Sequence, residues 1–180
     1  MNLSFGWKSA SSKKRKREPT GVSTVFVLDE EDPQSAEEKA RQQADALNKE
    51  ASRLAESGKF HDALARFKEA VRQDPRSFAL HEQISQVHLE LDETWPAIVA
   101  ATRAIELNPT WSVGFLTLSR AQLHHGEIAM SLSSVSRSVV LDPSNAESRE
   151  ELGLVRKARD AQRRYNHAHG IVQDTQSAIT

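Results

Sequence analysis

Seven histidines are the residues best able to do chemistry in this chain, and their spacing decides what chemistry that could be. His81 and His88 lie seven residues apart, which places both on one face of a helix. A metal site would need a third ligand, and Glu82 and Glu90 are the candidates nearby. The alternative is that both imidazoles fill a seam between helices. His124 and His125 sit where a helix should end, so a partly positive imidazole would complement the helix dipole there. His167 and His169 fall close to the C-terminus. The sequence has no glycine-rich phosphate loop, no G-x-S-x-G and no H-E-x-x-H. The expectation is therefore a non-enzymatic protein with no catalytic residues, no cofactor and no metal.

Two short segments near the N-terminus carry binding chemistry instead. Lys13, Lys14, Arg15, Lys16 and Arg17 are five consecutive cations, followed by Glu18 and Pro19. Such a run repels itself, stays extended, and suits the acidic groove of a nuclear import receptor. A solubilising tail or a non-specific nucleic-acid contact are the other readings. Aromatic interleaving is missing from the run, so base stacking has no platform within it. Further on, Val25, Val27 and Leu28 precede Asp29, Glu30, Glu31 and Asp32. An aliphatic strand followed by acids resembles a SUMO-interacting motif, in which the strand extends a sheet edge and the acids meet a basic rim. Packing of this strand against the rest of the chain, or a spacer rich in valine by accident, would explain it equally.

The elements that must position these groups emerge from composition and period. In 180 residues there are 38% apolar and 27% charged side chains, no cysteine, and a net charge of −1. The absence of cysteine rules out disulfides and thiolate metal sites and fits a reducing compartment. No apolar run approaches a membrane span, and no secretory signal is visible. The near-neutral total hides a basic tail, with six cations against one acid in residues 1–20, and an acidic body, with seven acids against three arginines from Ser77 to Pro143. This balance argues against nucleic acid as the main partner and against membrane association.

Pro75, Pro109 and Pro143 are spaced by 34 residues, in the settings QDPRS, LNPTW and LDPSN. Ala63-Leu64, Ala97-Ile98 and Ser131-Leu132 keep the same period, as do Ala70-Val71, Ala104-Ile105 and Ser138-Val139. Within each period the apolar residues step by three and four, as Phe60, Ala63, Leu64, Phe67, Ala70 and Val71 do. Each proline ends the second helix of its pair. Ser35, with Glu38 three residues later, reads as a capping box opening the first helix. Seven helices are expected, near 35–57, 60–74, 77–91, 95–107, 111–125, 128–141 and 145–166.

A 34-residue helix–turn–helix ending in proline resembles the tetratricopeptide repeat (TPR). Ala63, Phe67 and Pro75 carry its A-x3-F…P half most fully, and Ala97, Ala101, Pro109 and Ser131, Val135, Pro143 carry it with substitutions. Its W-x2-L-G-x2-Y half is reduced to Phe115, Leu118, Ser119 and Gln122 in the third repeat. A narrower likeness within the family rests on Phe5-Gly6-Trp7-Lys8, on Pro96-Ala97, and on Arg120-Ala121-Gln122-Leu123 with Gly126-Glu127-Ile128. The resemblance implies an all-α, right-handed α-solenoid of three repeats, about 44–77, 78–111 and 112–145. A capping helix over 146–166 would close a domain spanning 35–166. Residues 1–34 would be a disordered tail, and 167–180 a frayed one.

The resemblance also implies a concave groove lined by the first helix of each repeat. By phase, Asn48, Ser52, Glu82, Gln86, Glu90, Leu116, Arg120 and Leu123 face it, a mixed apolar and acidic surface. The first or last helix of the chain could fill it instead. Many TPR co-chaperones grip the C-terminal carboxylate of heat-shock proteins with two lysines, an arginine and two asparagines. This chain offers Asn48, Ser52, Gln83, Val113 and Thr117 in those places. With no cation there, and with Glu82 and Glu90 adding like charge, the acidic heat-shock C-terminal peptide is expected to be excluded. The function expected is a nuclear protein–protein adaptor or scaffold, with the cytoplasm as the alternative location. The competing reading is a nucleic-acid-associated factor working through the basic tail, which salt-dependent binding by the tail would favour.

Overall fold

The computed structural model describes residues 33–171. Seven α-helices and no strand occur among the described residues: α1 Pro33–Glu56, α2 Phe60–Gln73, α3 Phe78–Glu90, α4 Thr94–Leu107, α5 Ser112–His124, α6 Ile128–Leu141 and α7 Ala146–Ala168. Consecutive helices pack on one another as three antiparallel pairs, α1–α2, α3–α4 and α5–α6, with α7 closing the last pair. Across pairs, α3 touches α5 and α5 touches α7. The result is the expected α-solenoid of three TPR units and a capping helix. The basic run Lys13–Arg17 and the segment from Val25 to Glu30 lie outside the described residues, as does the expectation of a disordered N-terminal tail.

The 34-residue period has a local cause at every boundary. Inside each pair the turn needs one left-handed residue, and Gly58, Asp92 and Gly126 supply it with φ of 75°, 57° and 89°. Lys59 N donates to Leu54 O, Glu93 N to His88 O and Glu127 N to Gln122 O, at 2.8–2.9 Å. These are the long bonds of a left-handed helix stop. Between pairs, Asp74, Asn108 and Asp142 cap the outgoing helix. Each side-chain oxygen accepts the backbone N–H two residues on, from Arg76, Thr110 and Ser144 at 3.0–3.3 Å. The intervening proline cannot continue the helix, so the chain turns there.

Two boundaries differ by two residues from the sequence expectation: α7 runs to Ala168, past the expected end at 166, and α1 starts early. Helix α1 begins at Pro33, so Ser35 is inside the first turn and is not its cap. Proline's fixed φ and missing N–H suit the first helical position, which lets the helix start two residues early. At the other end, Asn145 is a true cap, its side chain accepting from Ser148 N.

Small residues set how closely the helices approach. Ala51, Ser85 and Ser119 occupy one repeat position, Ala63, Ala97 and Ser131 another, and Ala70, Ala104 and Ser138 a third; all nine are fully buried. Serine fits where alanine would because a carbonyl receives its hydroxyl. Ser85 Oγ donates to Ala97 O at 2.8 Å, Ser131 Oγ to Ser119 O at 2.9 Å, and Ser138 Oγ to Ser112 O at 2.8 Å. Phe67 and Val135 fill the larger holes of their repeats. Gly114 lets α5 approach α4, since a Cβ there would lie 2.9 Å from Ile105 Cγ2.

Candidate functional site

Helices α1, α3 and α5 supply the residues of the expected groove. A cavity of about 190 Å³ opens on this face between α1 and α3. Ser52, Gln86 and Glu90 line it, as the sequence phase requires, together with Glu56 and Gln83. Its apolar part comes from Ala55 of α1, Phe67 of α2 and Val87 of α3; Phe67 and Val87 are buried, and the sequence reading places Phe67 on an apolar helix stripe. No lysine or arginine lines the cavity.

Three of the expected groove residues are otherwise engaged. Glu82 is only 5% exposed and turns from the groove into the α3–α5 contact. Its Oε1 accepts from Thr117 Oγ1 of α5 at 2.6 Å and from Gln86 Nε2 at 2.5 Å. Burial pushes its carboxyl above the usual range, against those two hydrogen bonds and the charge of Arg120. Leu116 is 2% exposed and belongs to the core. Arg120 reaches across to α7, where Nη2 lies 3.3 Å from Glu147 and Nε 3.5 Å from Glu151. The third-repeat end of the groove is thus tied to the capping helix, while Leu123 beside it is half-buried. Helical phase selects a broad face, and it cannot separate a residue facing the groove from one wedged between neighbouring first helices.

Register explains a second feature of the cavity wall. Asn48 and Gln83 stand one repeat before Glu82 and Thr117. In the later repeat the two side chains close on each other. In the earlier one, Asn48 Oδ1 and Gln83 Oε1 are both sealed from solvent without a hydrogen-bond partner. Ser52 does not relieve Asn48, because its hydroxyl bonds the Asn48 carbonyl instead. The sequence signal for this was the substitution of a Glu–Thr pair by an Asn–Gln pair at the same register.

The histidines resolve into structural roles where their partners are visible. Buried His88 bonds Glu93 through Nδ1 at 2.6 Å, linking α3 to the start of α4. His81 Nε2 lies 3.4 Å from Pro75 O. Burial holds the His81 imidazole below its usual pKa, and Arg103 adds to this, while the Pro75 carbonyl opposes it. His125 Nδ1 pairs with Thr94 Oγ1 at 2.8 Å. Among the described residues, no three His, Asp or Glu side chains come together as a metal site would need, and no helix is long and apolar enough to cross a membrane.

No family model matches the chain. Among curated proteins it is similar to tetratricopeptide repeat protein 33 of Mus musculus, with 30% identity over 177 residues, covering 89% of this chain and 68% of that protein. The Xenopus laevis protein of the same name is 37% identical over 105 residues, covering 58% of this chain and 41% of that one. The chain therefore spans about two thirds of the mouse relative and under half of the frog one. Among solved structures, the first TPR of Spaghetti (RPAP3), bound to the HSP90 peptide SRMEEVD, superimposes with a TM-score of 0.64. It is 19% identical, and the match covers 67% of this chain and 95% of that one. At that identity the likeness is one of fold. The expected exclusion of acidic heat-shock peptides is not borne out. A domain of this fold is solved with such a peptide, and Glu82, half of the like charge invoked, is buried and shifted toward its neutral form.

Proposed function

Since the chain belongs to the tetratricopeptide repeat protein 33 family, we propose that it is a non-enzymatic adaptor whose groove docks a peptide segment of a nuclear protein. The cavity between α1 and α3 carries this reading, because it joins apolar depth to polar walls on the groove face. The wider fold supports it, because first helices arrayed at a fixed period present a continuous face to an extended or helical segment. Lys13, Lys14, Arg15, Lys16 and Arg17 would engage an import receptor and deliver the protein to the nucleus. Val25, Val27, Leu28, Asp29 and Glu30 would offer SUMO a second, tethered contact that adds to groove affinity through effective concentration.

Decamers selected from a random-sequence library on the full chain test the docking surface. Ser52→Arg with Gln86→Arg puts two long side chains into the cavity mouth. The account expects at least a tenfold loss of affinity for the selected peptides, with an unchanged helical circular dichroism spectrum. Peptides that bind the double variant as tightly as the parent chain would place the binding surface elsewhere.

A further inference from the structure

Every group that lines the α1–α3 cavity with polar chemistry is an acceptor or has a free acceptor. Gln83 lines it with its Oε1 buried and without a partner, and Asn48 Oδ1 is in the same condition at the paired register on α1. A buried acceptor left unmet is unfavourable, which marks this wall as the polar side of the recess. Glu56 and Glu90 stand at its rim, and neither has an ion-pair or hydrogen-bond partner among the described residues. Each is the last residue of its helix, α1 and α3 respectively. The negative ends of two helix dipoles therefore point to the same rim as the two carboxylates. Acids at helix C-termini are placed against their own dipole, an arrangement that an incoming cation relieves. With no lysine or arginine among the lining residues, the protein does not supply that cation itself within the described fold.

We infer that this cavity receives the side chain of a lysine or arginine from the docked peptide. Its aliphatic stem would lie against Ala55, Phe67 and Val87, and its charged head would face Glu56 and Glu90. An ammonium carries three donors and a guanidinium five, enough to meet several acceptors at once. The stem-and-head character of these side chains matches a recess with an apolar floor and an anionic rim. This names the chemistry of the partner and rests on the groove reading proposed above.

The test uses the full, isotope-labelled chain and two small probes, Nα-acetyl-arginine amide and its uncharged counterpart Nα-acetyl-norleucine amide. The arginine probe should shift the amide resonances of Ser52, Gln83 and Gln86 saturably at millimolar concentration. The norleucine probe should not, and E56Q with E90Q should weaken the arginine probe at least fivefold while leaving the helical spectrum intact. Equal shifts from both probes, no shift at those residues, or indifference to E56Q/E90Q would each overturn the inference. The selected decamers separate the two readings. If they occupy α1, α3 and α5 but bind E56Q/E90Q unchanged, the cation pocket falls and the groove stands. If no decamer reaches those helices, the groove reading falls, while saturable arginine binding at the cavity would still support the pocket.

Discussion

Glu82 is the residue at which charge and packing conflict most plainly. Its carboxylate is buried between α3 and α5, where desolvation raises its pKa although Thr117, Gln86 and Arg120 oppose that shift. The folded chain therefore binds a proton at Glu82 more readily than the unfolded chain does. Stability from this group is fully present at low pH and is lost as pH rises from the ordinary glutamate range through the raised folded-state value. Glu82→Gln keeps the oxygen that Thr117 bonds and removes the charge. The variant is expected to melt a few degrees above the parent at about pH 7, with the gap closing near pH 4. Calorimetry at both values checks this, and a variant that melts lower than the parent at neutral pH would contradict the assignment. The same residue marks where the sequence fell short. Period placed Glu82 on the correct helix but facing the groove, and its contact with Thr117 lies 35 positions away.

Elements were more legible than residues, and for a physical reason. Prolines, small residues and apolar steps at 34-residue spacing are local signals, and each corresponds to a turn, a close approach or a buried stripe. Where a turn used a different residue for the same geometry, the signal vanished: Asp92 adopts the left-handed conformation that Gly58 and Gly126 advertise. Ser35 misled for the opposite reason, a capping pattern overridden by the proline two residues before it. The serines of the third repeat read as weakened alanines, whereas their hydroxyls bond carbonyls of the facing helix. Helix pairing depends most on large side chains that fill single holes. Phe67 is 2% exposed between α1, α2 and α3 neighbours such as Ala51 and Val87. Phe67→Ala is expected to cost about 3–5 kcal/mol in chemical denaturation, through lost apolar burial and the hole left behind. A cost under about 1 kcal/mol would mean that the core closes without it.

At the scale of the whole molecule, the proposal joins a repeat array with a groove to N-terminal segments that would address and tether it. If the proposed import receptor reads the clustered charge, neutral residues in place of Lys13, Lys14, Arg15, Lys16 and Arg17 should abolish nuclear accumulation. A 20.1 kDa chain can also diffuse through pores, so the measurement is imaging of residues 1–32 fused to a large reporter, with and without the five cations. Equal nuclear accumulation of both fusions would show that the address is elsewhere. The central claim is that peptides dock on the face formed by the first helices. Amide hydrogen exchange of the full chain, with and without a selected decamer at saturation, tests it most directly. The account predicts added protection on α1 and α3, extending to α5, with α4 and α6 unchanged. Protection confined to α4, α6 or the outer face of α7, or none on α1 and α3, would contradict it.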